Sequence, residues 1–177
     1  VAATRDAEGR GLPWRIIGHG SNILAPDDGV SSAVVVFKDA TAPRIDAFGT
    51  VRVSGGYPLD AFVRFLVSHG LAGLEVLAGI PGTVGGAIAG NAGAYGTWIG
   101  THVQCAKLLW RGGRLREADA SSLAFAYRRS ILRDTREAVL EATFTLSPAE
   151  PAALERTMQE KLADRRAKHP DPATKIA

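Results

Sequence analysis

Apolar positions recur along this chain with two different periods, and the period changes at identifiable punctuation. Trp14–Ile17 and residues 33–37 are short runs of β-branched and aromatic residues flanked by Gly or Asp, and each predicts a buried strand. Thr50–Ser54 alternates Val51 and Val53 with polar neighbours and predicts a third. Over residues 58–69 the spacing becomes helical: Leu59, Phe62, Val63 and Leu66 share one face, Pro58 stands at the first turn and Gly70 is placed as a stop. Residues 103–109 predict another strand, the Gly112 and Gly113 pair a hairpin turn, and residues 115–117 the return strand. Val139, Glu141, Thr143 and Thr145 alternate with Leu140, Ala142, Phe144 and Leu146 in a further strand with one apolar face. After Ser147, the spacing of Leu154, Met158 and Leu162 on a charged background predicts an amphipathic surface helix, ended by Pro170 and Pro172.

Between these elements, residues 70–100 carry ten glycines yet stay apolar through Leu74, Val76, Leu77, Ile80, Val84 and Ile88. A flexible linker would be polar and serine-rich. This composition instead predicts a buried, tightly turning segment whose backbone comes close to something. Strands and helices mixed without strict βαβ alternation predict an α+β architecture, two sub-layers enclosing a ligand.

Composition narrows the function. The chain has 177 residues, 46% hydrophobic and 22% charged, enough for a real core. No apolar run approaches the roughly 18 residues of a membrane span, and the polar start does not read as a secretion signal. The first residue is Val1, and Ala2, Ala3, Arg5, Ala7 and Glu8 read like the second half of a surface helix, so the chain is expected to begin inside a longer protein. The net charge of +3 is spread thinly; its one dense run, Arg165, Arg166, Lys168 and His169, reads as a solvated helix face with no aromatic platform for nucleic acid. Cys105 is the only cysteine and reads as a core residue, which fits a reducing compartment. His19, His69, His102 and His169 lack metal-ligand spacing. Trp98 and Trp110 read as packing residues, and Glu75 as a helix N-terminal acid or a ligand contact.

Three motifs carry candidate chemistry. Gly18, His19, Gly20, Ser21 and Asn22 follow a predicted strand and offer backbone N–H groups and two short polar side chains to phosphate oxygens. A Rossmann turn would need Gly at Ile23 and a helix next, so alone this is equally a plain turn. Gly79, Ile80, Pro81, Gly82, Thr83, Val84, Gly85 and Gly86, followed by Asn91, Ala92, Gly93, Ala94, Tyr95 and Gly96, would let the backbone approach a bulky anion, or would form a tightly packed helix-turn segment. No Gly-Lys-Ser/Thr makes it a P-loop. Tyr127, Arg128, Arg129 and Ser130 offer a fixed guanidinium for a carboxylate or phosphate, or a surface basic pair.

Taken in order, these motifs with Gly73-Leu-Glu75 resemble the signature series of the UDP-N-acetylenolpyruvoylglucosamine reductase family, from Trp14 to Ala177. The resemblance implies a two-subdomain FAD-binding fold of the vanillyl-alcohol-oxidase/p-cresol-methylhydroxylase type. Residues 1–147 would form the FAD-binding domain, and residues 148–177 a surface helix and linker toward a substrate domain. Implied cofactor-binding residues are Gly18, His19, Gly20, Ser21, Asn22, Gly79, Ile80, Pro81, Gly82, Thr83, Gly85, Gly86, Asn91, Gly93, Ala94 and Tyr95. Tyr127, Arg128 and Ser130 would bind substrate, with Arg128 catalytic. FAD and NADPH are the implied cofactors and a UDP-sugar the substrate, in a cytoplasmic monomer that binds neither nucleic acid nor membrane. The family's proton-donating Ser, in a Gly-Ser-x-Phe-Lys segment, its C-terminal Glu, and an N-terminal strand with an Asn-Thr motif are not in these residues, so the chain is expected to be a fragment. The rival readings are an FAD-linked oxidase of the same superfamily and a non-catalytic FAD-binding module.

Overall fold

The computed structural model describes residues 1–46 and 49–168. The chain opens with helix α1 (Ala2–Gly9), then strands β1 (Trp14–Ile17) and β2 (Ala33–Val36). These two strands pair in parallel, Trp14 opposite Ala33 through Ile17 opposite Val36. Parallel neighbours cannot be joined by a tight turn, so residues 18–32 form a long crossover beginning at the C-terminal end of β1. α1 anchors this small lobe: Glu8 accepts from the Trp14 indole at 2.8 Å and from the Gly112 amide at 2.7 Å. Its carboxyl is held below the ordinary carboxylate range, first by the Gly112 N–H and then by the indole.

The larger lobe is built from β3 (Arg44–Ile45), β4 (Thr50–Ser54), α2 (Leu59–Ser68), β5 (Leu71–Ala72), α3 (Val84–Ala89), β6 (Gly93–Ala94), β7 (Thr97–Trp98), β8 (Val103–Trp110), β9 (Arg114–Asp119), α4 (Leu132–Thr135), β10 (Ala138–Thr145), β11 (Ser147–Pro148) and α5 (Pro151–Lys168). Five of these strands form one antiparallel sheet in the order β3-β4-β10-β8-β9. Alternation along β4, β8 and β10 turns Val51, Val53, Ala106, Leu108, Val139, Ala142 and Phe144 into the core. α2 lays Leu59, Phe62, Val63, Leu66 and Val67 over it, and Phe62 meets Phe144 with ring centroids 5.0 Å apart. α5 adds Leu154, Met158 and Leu162, packing against α2 and the 3-10 turn Glu75–Leu77. Arg116 and Glu137 close the far side of the sheet in a bidentate pair at 2.5 and 2.6 Å.

The α+β class and the main strands stand where the apolar periods predict them. The differences are local. β1 and β2, expected to be buried, are only partly so, and Val34 and Val36 are exposed because this two-stranded pair lies apart from the five-stranded sheet. The glycine-rich stretch contains a helix, α3, because Thr83 caps it by accepting from the Gly86 amide at 3.3 Å. Trp110 is substantially exposed instead of packed, and Trp98 packs one part of its ring against Gly93 while the rest is exposed. Glu75 accepts from the Gly73 amide at 2.7 Å, which gives its carboxylate a local turn-closing role. α4 and the two-residue pairs β5 with β11 and β6 with β7 are too short to leave a periodic signal. The predicted helix end at Pro170 and Pro172, and His169, lie outside the described residues.

Candidate functional site

A cavity of about 510 Å³ lies between the crossover after β1 and the segment that runs from residue 80 through α3 to residue 92. One wall is Ile16 to Ile23. The facing wall is Ile80, Pro81, Gly82, Thr83, Gly86, Ala87, Ala89, Gly90 and Ala92, and Arg128 and Arg133 complete the lining. The two glycine motifs, sixty residues apart in sequence, are therefore brought face to face.

The walls touch where only small residues fit. A β-carbon on Gly18 would fall on the Thr83 side chain. Gly82 has φ +122° and sits under the Ser21 hydroxyl, where an added β-carbon would come within 3.0 Å. The Ser21 hydroxyl donates to the Pro81 carbonyl at 3.1 Å and ties the loops together.

The donor groups differ between the walls. At α3 the first amides are engaged inside the protein: Val84 donates to the Tyr57 carbonyl, Gly85 to the Gly55 carbonyl and Gly86 to the Thr83 hydroxyl. On the opposite loop, the amides of residues 19–23 donate to no other described residue. Consecutive free N–H groups in a turn are a standard way of holding phosphate oxygens. Among the described residues the lining contains no Asp or Glu, while it contains His19, Arg128 and Arg133. Arg129 is drawn away into a pair with Asp134 at 2.7 Å, so Arg128 and Arg133 are the basic side chains left facing the cavity outside any ion pair among the described residues. The site is built for a ligand with anionic groups.

With this geometry in view, comparison with known proteins is informative. The sequence profile described as FAD binding domain matches residues 1–119. The chain belongs to the FAD binding domain family. It is similar to UDP-N-acetylenolpyruvoylglucosamine reductases, 39% identical over 159 residues to that of Levilactobacillus brevis and 40% over 167 residues to that of Pelobacter propionicus. These matches cover 90% and 93% of this chain but 52% and 55% of the relatives, so the chain spans about half the length of the curated relatives it matches. Among solved structures, it resembles the UDP-N-acetylenolpyruvylglucosamine reductase of Thermus caldophilus with a TM-score of 0.79 at 29% identity, over 96% of this chain and 60% of that one. The 6-hydroxy-D-nicotine oxidase of Arthrobacter nicotinovorans shares the fold at 20% identity, with a TM-score of 0.60 over 82% of this chain and 33% of that one.

FAD is the group this family holds, and the cavity fits it: unengaged loop amides, paired glycines and a carboxylate-free lining suit a dinucleotide's diphosphate. Of the residues singled out in the sequence, Gly18, His19, Gly20, Ser21, Asn22, Ile80, Pro81, Gly82, Thr83, Gly86 and Arg128 line the cavity. Others stand elsewhere. Gly79 packs against Leu162 and Arg165 of α5 and donates to Asp60 at 2.7 Å, while Gly85 faces the Gly55 carbonyl. Gly93 lies against the Trp98 ring, and Ala94 borders the core beside it. Tyr95 turns to α5, where its hydroxyl donates to Asp164 at 2.7 Å and Lys161 stands 4.9 Å from its ring centre. That bond to the Asp164 carboxylate raises the phenol above its ordinary pKa. Asn91 is buried, and both ends of its side chain bond within the protein: Nδ2 donates to the Ala126 carbonyl at 2.8 Å and Oδ1 accepts from the Gly100 amide at 3.1 Å. Ser130 is buried with its hydroxyl on the Ala89 carbonyl at 2.8 Å. Tyr127 is 77% exposed and borders a separate shallow pocket with Trp98 and Phe125.

Sequence reasoning missed Ala87, Ala89, Gly90 and Arg133, while Ala92, named within the second motif, lines the cavity. A signal for the first group exists: Gly86, Ala89 and Gly90 stand at i, i+3 and i+4, a strip of small residues on one helical face. Arg133 left no such mark, since one more arginine in a run of them reads as surface.

Proposed function

We propose that this chain is the flavin-holding portion of an NADPH-dependent UDP-N-acetylenolpyruvoylglucosamine reductase, which reduces the enolpyruvyl ether of its UDP-sugar substrate to UDP-N-acetylmuramate in peptidoglycan precursor synthesis. The observation that carries this reading is the convergence of both glycine motifs and Arg128 on one cavity without a carboxylate. Similarity to the reductases of two bacteria and to the Thermus caldophilus structure supports it.

When bound, FAD supplies two-electron chemistry, taking hydride from NADPH and passing it to the enolpyruvyl double bond. The loop amides of residues 19–23 and the segment 80–83 hold the cofactor's phosphates, and the apolar small face of α3 excludes water beside them. Arg128 pairs with the substrate carboxylate, and it stabilises the negative charge that spreads into that carboxylate as hydride arrives at the terminal methylene carbon, one beyond the carbon that bears the carboxylate. The absence of Asp and Glu from the lining leaves this charge unopposed. Reduction also requires one proton for the second carbon. Neither candidate serine supplies it, because the Ser21 and Ser130 hydroxyls both donate to backbone carbonyls. In this reading the protein works as a cytoplasmic monomer; no described helix is long and apolar enough to cross a membrane.

The test is reconstitution of the purified protein with FAD, followed by desalting and an absorbance spectrum, then an assay of NADPH oxidation on addition of the enolpyruvyl substrate. Retained flavin bands are expected, with substrate-dependent NADPH consumption once a segment carrying the proton donor is present. A folded but colourless protein would overturn the cofactor assignment for this chain. A flavoprotein that releases peroxide from an alcohol or hydroxy acid without consuming NADPH would overturn the reductase reading in favour of an oxidase.

A further inference from the structure

Arg128 occupies a backbone position that arginine does not favour. Residues 126–129 form a tight turn in which the Ala126 amide donates to the Arg129 carbonyl at 2.9 Å and the Arg129 amide to the Ala126 carbonyl at 3.1 Å. Arg128 is the third residue of this turn, with φ +55°, while Tyr127 is not among the positive-φ residues. This is the place a type II turn reserves for glycine or asparagine, and a β-carbon there is a source of strain. A strained side chain persists only when its surroundings hold it.

Two side chains from different elements do so. From inside, buried Asn91 donates to the Ala126 carbonyl, the acceptor that closes the turn, while its other end is fixed on the Gly100 amide. From the cavity side, Arg133 Nη1 donates to the carbonyl of Arg128 itself at 3.3 Å. The turn is further pinned at its exit by the Ser130 hydroxyl on α3. Arg133 therefore has two possible uses at the cavity, as a second cation for the ligand or as a holder of Arg128, and the direct bond to Arg128 favours holding.

We propose that Asn91 and Arg133 are positioning residues that hold Arg128 in its left-handed conformation, and that the strain in this turn is retained because it aims the Arg128 guanidinium into the cavity. This rests on the role of Arg128 in the reductase reading, but the held turn itself is open to test without turnover.

The experiment is a double-mutant cycle on the FAD-loaded protein, with R133M, which removes donor and charge, R133Q, which keeps a donor without charge, and R128G, which removes the strain. By thermal melting, R128G is expected to raise the midpoint by about 2 °C or more. R133M is expected to lower it, R133Q to lower it less, and R133M to have no effect in the R128G background, because a glycine there needs no holding. In turnover with a proton-donating segment present, R133M is expected to lower kcat/KM by roughly tenfold with little change in flavin retention. R133Q is expected to recover most of that loss. N91D, which loses the donation to Ala126, is expected to follow R133M if it folds. Equal damage by R133M in both backgrounds, or R133Q as harmful as R133M with weaker FAD binding, would overturn the proposal and make Arg133 a direct anion ligand. If the wild-type protein shows no reductase turnover even with a proton-donating segment present, the functional reading fails while the melting cycle still decides the holding role.

Discussion

The wall of the cavity that carries α3 is continuous with the hydrophobic core, whereas the wall formed by residues 19–23 stands almost clear of it. Thr83, Val84, Ala87 and Ile88 are buried, and the first α3 amides are used up on neighbouring backbone. Across the cavity His19, Ser21, Asn22, Ile23 and Leu24 are exposed, and their loop is tied to the other wall by the Ser21 hydroxyl and the fit of Gly18 against Thr83. A wall that satisfies its own polar groups is rigid but has little to offer an anion. A wall that leaves them open can bind one, and depends on the rigid partner for its shape.

The largest effect should come from breaking the rigid side. Phe62→Ala removes a ring packed at 0% exposure against Phe144, and a loss of about 3–5 kcal/mol is expected in denaturant melts. The same kind of truncation just past the open wall, Leu24→Ala, removes a side chain that is 97% exposed and should stay within about 0.5 kcal/mol. Similar losses at the two positions would remove the distinction between the walls.

Glu137→Gln tests whether the rigid lobe also depends on charge. Its carboxylate is almost buried and paired in bidentate fashion with Arg116, so a loss of about 2 kcal/mol at neutral pH is expected. The Arg116 bond holds the Glu137 carboxyl below its ordinary value. The contribution is therefore full above the ordinary carboxylate range and disappears as pH falls through the depressed folded-state value. The difference between wild-type and variant melting midpoints should shrink correspondingly in acid. A gap that stays constant into strong acid would assign the loss to packing.

Gly18→Ala tests where the walls meet. The added methyl group falls on the Thr83 side chain, and FAD affinity is expected to drop about tenfold, or ~1.4 kcal/mol, with a smaller change in melting temperature. Ser21→Ala removes the single tie to Pro81, and flavin retention should weaken only a few-fold, ~0.5–1 kcal/mol. Equilibrium titration of flavin fluorescence measures both. If Ser21→Ala proved the more damaging, the hydroxyl would have a direct ligand role beyond its tie.

The strands and the main helices were legible because their side chains face one solvent or one core, and the period of apolar residues records which. β4, α2 and β10 are of this kind. α3 was harder, since glycines and alanines on its cavity face suppress the helical signal, and its cap, Thr83, looks in sequence like one more loop residue. The facing of residues 18–22 with 80–83 could be inferred only through family resemblance, because nothing local to either motif names its partner.

The sequence by itself determined which segments would be strand or helix, that a glycine-rich stretch would approach a ligand closely, and that Arg128 was a residue to watch. Only the tertiary structure decided which of the marked residues share a cavity, that Asn91 and Ser130 are engaged within the protein, that Tyr95 turns to α5, and that Arg133 joins Arg128. The reason is physical: periodicity and turn chemistry are set by neighbours within a few residues, whereas a hydrogen-bond partner is whichever group the packing of distant elements brings within about 3 Å.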